Sequence, residues 1–196
     1  MYRFYLAAVD LLPGVLILAP VYYILNRIYF HSSRKSFFYL AFSCYLSVIY
    51  VLVGLPNVTY IRPEVNLNLI PIVGMISDFK NSILNILLFV PLGAMLPMLW
   101  YKFRIQKRTV FWGFCMSLSI ELLQILTFRA TDVNDLITNT LGTFLGFRFA
   151  KYLFKKRNVE TVSSTGEAGM VVVIVFCVMF FVYPFVSSTL WNLILG

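Results

Sequence analysis

Charge is what this sequence has least of. Only 12% of its 196 residues are Asp, Glu, Lys or Arg, whereas soluble domains carry roughly 25%. So small a share excludes a charged, solvated surface wrapped around a private core, and hydrophobic residues, at 60% of the chain, fill the difference. Histidine is nearly absent too: His31 is the single one, set among Ser32, Ser33 and Arg34, which leaves no histidine-based zinc site and no Ser/His/Asp set. Three cysteines, Cys44, Cys115 and Cys177, stand singly inside apolar stretches without a CxxC pair, and read as small buried hydrophobes. No Walker glycine loop, internal repeat or low-complexity tract occurs. No cofactor and no metal is therefore expected, although three neighbouring carboxylates would suit Mg²⁺ or Ca²⁺ better than zinc.

What is present is apolar length. A hydrocarbon core about 30 Å thick takes about 20 apolar residues to cross as a helix. Six such stretches are expected, over 6–29, 37–56, 81–101, 109–128, 133–154 and 169–194. The fold class predicted is all-α, a polytopic transmembrane helical bundle. The first stretch carries Asp10, Pro13 and Pro20 and lacks a small-x-small cleavage site, so it reads as a retained helix rather than a secretion signal. The net charge of +8 sits in short clusters between spans, a pattern of membrane topology and not of nucleic-acid binding. Arg27, Arg34 and Lys35, then Lys102, Arg104, Lys107 and Arg108, then Arg148, Lys151, Lys155, Lys156 and Arg157 fall on one side of a six-span chain. The positive-inside rule makes that side cytoplasmic and both termini extracytoplasmic. The connection VTYIRPEVNLNLIPIVGMISDF is too apolar for a free loop and is expected to lie in the interface or re-enter.

Polar residues inside the third to fifth spans are the informative exception. Glu121 sits in WGFCMSLSIELLQILTF, where a charge costs roughly 2.5–3.5 kcal/mol at a helix centre on insertion scales. Ser117, Glu121, Gln124 and Phe128 share one helical face. Asp132, Asp135, Asn139, Gly142 and Gly146 repeat the spacing on the next helix, and Asn81 and Asn85 lie a turn apart on the third. At a rise of about 1.5 Å per residue, Glu121, Asn139 and Asn85 all fall within about 10 Å of the outer surface. This predicts an outer-facing polar pocket between spans three to five. The inner halves LGAMLPMLW and VFWGFCM read as apolar, so the stripes are expected to stop there. Asp132 suits a helix cap, Arg129 a pairing with Asp132, Asp135, Glu121 or an anion, and Gly142 with Gly146 a close-packing GxxxG.

The ordered combination of NLNLIPI at 66–72, NSILNILLFVPLGAMLP at 81–97, SIELLQ at 119–124 and FRATDVNDLITNTLGTFLG at 128–146 resembles the VanZ-like family. That family is named for a protein associated with resistance to the glycopeptide teicoplanin. The resemblance implies a bacterial cell-membrane protein of the envelope. It divides the chain into an added N-terminal helix and loop (1–36), a VanZ-like core of four helices (37–154), and a cytoplasmic linker with an added C-terminal helix (155–196). The positions that match are Asn68, Pro71, Asn85, Phe89, Pro91, Gly93, Glu121, Gln124, Arg129, Asp132, Asp135, Asn139 and Gly142.

Three functions compete. The first is a non-catalytic protein that modulates teicoplanin-class resistance at the outer face, with membrane lipids and a lipoglycopeptide as partners. The second is a membrane-embedded enzyme on a lipid-linked envelope intermediate. There Glu121, Asp132 and Asp135 would be the candidate catalytic carboxylates, and Asn68, Asn85, Gln124, Arg129 and Asn139 the ligand-binding groups. A small transporter ranks third, since a conducting path needs polar stripes that run the full depth.

Overall fold

The computed structural model describes residues 2–63, 67–68, 79–127, 131–156, 161–162 and 167–195. These are overwhelmingly helical and form two compact units, Met1–Ile61 with Glu167–Gly196, and Arg62–Gly166. Four stretches, Leu12–Phe30, Ser33–Leu52, Phe79–Leu99 and Ala168–Leu193, are long and apolar enough to cross a membrane. The chain is a polytopic helical membrane protein.

In the first unit, α1 (Tyr2–Leu25) runs through Pro13 and Pro20 into a wide π-turn, Asn26–Phe30. The reversal into α2 (Ser33–Leu52) is made by polar bonds. His31 takes a left-handed conformation (φ 49°) and donates its N–H to the Asn26 carbonyl. Asn26 Oδ1 accepts from the Ser32 N–H at 2.9 Å, and Ser32 Oγ accepts from the Lys35 N–H as the cap of α2. The last helix has two parts, α6 (Ala168–Cys177) and α7 (Tyr183–Leu195), joined by a second π-turn, Val178–Val182. Tyr22 bonds Ser43 at 2.7 Å inside the unit. Glu167, just ahead of α6, pairs with Lys35 at 3.5 Å and accepts from the Tyr39 hydroxyl. A carboxylate with two partners is how a membrane protein keeps a charge at a helix end.

The second unit contains α3 (Phe79–Leu99), a 3₁₀ turn (Tyr101–Arg104), α4 (Gln106–Gln124) and α5 (Val133–Lys156). α3 continues through Pro91 and Pro97 without interruption. It packs on α5 backbone to backbone. A Cβ on Gly142 would strike the Ile86 carbonyl oxygen, one on Gly146 that of Val90, and one on Gly93 that of Thr143. Small residues let helices without a hydrophobic drive between them approach closely, and the hydrogens that glycine carries there face carbonyl oxygens. The GxxxG of α5 thus does the packing its spacing implies. α4 closes on the other side, where Gly113 admits the Thr143 side chain.

The helices lie close to their expected ranges, with shifts that have local causes. α2 starts at Ser33 rather than 37 because Ser32 caps it. α4 stops at Gln124 rather than 128 because the chain turns at Ile125–Leu126, where the Arg62 N–H reaches the Leu126 carbonyl at 2.8 Å. Two-residue strands β1 (Leu67–Asn68) and β2 (Thr131–Asp132) then pair in parallel, Asn68 opposite Asp132. Arg62 and the Leu67–Asn68 strand therefore dock on the α4–α5 connection instead of floating free. Residues 69–78 of that connection lie outside the described residues.

Candidate functional site

The site is built where α4 ends and α5 begins. One face of α4, spaced by three and four, buries Thr109, Gly113, Ser117, Glu121 and Gln124. The facing side of α5 buries Asn134, Thr138, Asn139 and Thr143. So much buried polarity holds only if its groups bond one another.

Most do. Glu121, 3% exposed, accepts the Asp132 N–H at Oε2, 2.9 Å away. Asp132 in turn caps α5: its Oδ1 accepts from the Asn134 N–H at 2.8 Å and from Asn134 Nδ2 at 2.9 Å. Asp135 lies in the first turn of α5, where a carboxylate suits the helix dipole. Asp132 and Asp135 both lie near enough to act electrostatically on Glu121. Gln124 ends α4, and its carbonyl accepts the Thr127 N–H and hydroxyl.

Asn139 is different. Its Nδ2 donates to Ser117 Oγ at 2.9 Å, both residues being buried. Its Oδ1 is also buried and has no hydrogen-bond partner among the described residues. An acceptor left in that state costs about 1–3 kcal/mol.

Of the residues singled out from sequence, Glu121, Gln124, Asp132, Asp135 and Asn139 gather in this layer, and β-pairing sets the Asn68 backbone beside Asp132. Asn85 is half-buried on α3, next to Ile86, which meets Gly142 one turn beyond Asn139. No hydrogen bond joins it to the layer among the described residues. Arg129 lies outside the described residues, as does Pro71. Among the described residues no three His, Cys, Asp or Glu side chains are grouped to hold a metal ion. The three cysteines are free thiols.

Two features differ from the sequence reading. The buried stripe on α4 does not stop halfway but continues through Gly113 to Thr109. Gly113 was hidden by its bulky neighbours in VFWGFCM, and Thr109 stands just ahead of that segment. The hydroxyls along this seam bond locally: Thr109 Oγ1 donates to the Phe103 carbonyl in the 3₁₀ turn ahead of α4, and Thr143 Oγ1 to the Asn139 carbonyl one turn earlier in α5, the usual way a helix absorbs a hydroxyl. Asn134 and Thr138, both buried in the layer, were not singled out, though their spacing from Asp135 and Asn139 contained the signal.

A family model described as VanZ/LLP1 matches residues 36–155. The chain belongs to the VanZ/LLP1 family. Among curated proteins it is similar to Protein VanZ of Enterococcus faecium, 29% identical over 116 residues, which cover 57% of this chain and 71% of that protein. No solved structure matches. The VanZ/LLP1 match takes in α2 to α5 and with them every residue of the polar layer. This is a VanZ-like membrane protein of a family associated with teicoplanin resistance.

Proposed function

We propose that this protein modulates susceptibility to teicoplanin-class glycopeptides from the outer face of the bacterial cell membrane, through the polar layer between α3, α4 and α5. In this reading the chain spans six times, with both termini extracytoplasmic. α4 and α5 fall short of the other helices in hydropathy, not in length: 19 and 24 residues reach about 28 and 36 Å, enough for a hydrocarbon core of about 30 Å. The clusters at 102–108 and 148–157 then share the cytoplasmic side, and the α4–α5 turn faces out. Residues 37–154 act as the family core and the flanking helices as additions. The observation that carries the reading is the Asn139 carboxamide, tied at one end to Ser117 and unsatisfied at the other. It supports a layer prepared for a donor from outside, such as a lipoglycopeptide or the headgroup of a lipid-linked envelope intermediate.

The test is a deletion strain complemented with wild type, Glu121→Gln or Asp135→Asn, with inhibitory concentrations of teicoplanin measured at matched expression. Loss of the difference between wild type and deletion in both variants supports the layer as the working part. Normal susceptibility of the deletion strain would sink the proposal.

A second reading, an enzyme acting on a lipid-linked intermediate, is favoured by Asp132 and Asp135 lying within electrostatic reach of Glu121. Against it, Glu121 accepts a backbone N–H and Asp132 caps a helix, both structural duties. Turnover of a labelled lipid-linked precursor by purified protein, abolished by Asp135→Asn, separates it from the first. Transport is less favoured, since Thr109 and Thr143 are engaged by backbone carbonyls deeper in the seam.

A further inference from the structure

At the opposite end of the second unit, the C-terminal part of α5 borders an open hollow of about 530 Å³ lined by Arg148, Lys151, Tyr152 and Phe154. Positive charge at this end is expected from topology and from the helix dipole. Neither predicts that the cations line a concavity. Here Phe154 is held by a cation, because the Arg104 guanidinium lies 4.9 Å from its ring centroid and 5.6 Å from that of Tyr101. A third cation thus stands next to the hollow, and the aromatic wall is held in place.

The exposed surface of α5 leading to the hollow is apolar. Leu141, Leu145 and Phe149 are 42%, 43% and 56% exposed, and their spacing of four puts them on one stripe that ends beside Arg148 and Tyr152. A soluble anion has no use for such a track. A lipid uses both parts, since acyl chains lie on an exposed apolar stripe while cations at the membrane surface hold the headgroup.

We propose that this hollow binds the phosphate of an anionic membrane lipid, with Arg148 and Lys151 holding the oxyanion and an acyl chain lying along Leu141, Leu145 and Phe149. The guanidinium offers paired donors to phosphate oxygens and the ammonium a point charge. The site is separate from the polar layer and stands or falls independently of the function proposed for it.

The experiment uses the full chain reconstituted in vesicles of equal phosphatidylglycerol and phosphatidylcholine. Lipids retained by the purified protein are counted by native mass spectrometry. Wild type should retain phosphatidylglycerol preferentially. Since each surface cation is worth roughly fivefold in anionic-lipid attraction, Arg148→Gln/Lys151→Gln should cut that preference roughly tenfold or more. Lys107→Gln/Arg108→Gln removes the same charge from exposed positions on α4 outside the hollow, and should leave most of it. Arg148→Lys/Lys151→Arg should retain it, which separates lost binding from lost folding. Equal losses from both Gln pairs would show diffuse attraction and overturn the proposal, as would full retention by Arg148→Gln/Lys151→Gln. Displacement of the lipid by millimolar inorganic phosphate would overturn the lipid assignment in favour of a soluble anion.

Discussion

Replacing Gly146 by alanine adds one methyl group where two helix backbones meet. The new Cβ would fall on the Val90 carbonyl oxygen, with the Val90 carbonyl carbon at 2.9 Å and the Ala94 nitrogen at 3.0 Å. None of these atoms belongs to a side chain that can swing away, so α3 and α5 must part. Overpacking a tight site costs about 1–3 kcal/mol, and backbone on both sides argues for the upper end. Alanine returns up to about 1 kcal/mol through better helix propensity. A net loss of roughly 2 kcal/mol corresponds to a fall in Tm of about 4–8 °C for a chain of this size. The measurement is a thermal melt of detergent-purified protein. Gly169→Ala serves as its control, because nothing lies within 4 Å of a Cβ there. Gly169→Ala should match or exceed wild type. A Gly146→Ala variant that melts with wild type would refute the close approach of α3 and α5, and with it the geometry that orients the layer.

Other expectations follow from single contacts and are read in the same melts. Ser117→Ala removes the acceptor of Asn139 Nδ2 and should cost about 0.6–2 kcal/mol, the range seen for interhelical polar bonds in membranes; no loss would mean the bond is not made. Asp132→Ala should cost about 1 kcal/mol as a lost helix cap, and Asp132→Asn only a small part of it. Glu167→Ala removes a partner of Tyr39 and of Lys35 and should cost more than Glu167→Gln, which still accepts from the tyrosine; equal costs would mean charge alone matters there.

Four helical stretches were legible as apolar runs of membrane length, α4 and α5 as helix-length segments between basic clusters, and the polar layer because Glu121 and Asn139 contrast with what surrounds them. Local chemistry was legible too. Asp132 caps α5, and Gly142 and Gly146 pack it against α3, as their positions implied. What stayed hidden depends on distant partners or on averaging. The β1–β2 ladder is two residues long on each strand, too short to show an alternation. Glu167 and Tyr39 are 128 residues apart, and nothing local marks either as a pair. Thr109 and Gly113 vanished inside an apolar average, although their spacing from Ser117 continues the stripe. The compact unit that joins α1 and α2 with the last helix has no motif of its own, because apolar faces pack without a signature.

Under the proposed function the Asn139 Oδ1 awaits a donor from outside, and Asn139→Leu takes that acceptor away. Leucine is close in volume and removes the orphan oxygen together with the bond to Ser117, whose hydroxyl can turn to a carbonyl of its own helix. Removing an unpaired buried acceptor should leave stability within about 1 kcal/mol of wild type or raise it. The deciding measurement is the teicoplanin inhibitory concentration of a deletion strain expressing Asn139→Leu at wild-type level. The expected result is a stable, inserted protein that protects no better than the empty vector. Protection equal to wild type would contradict it.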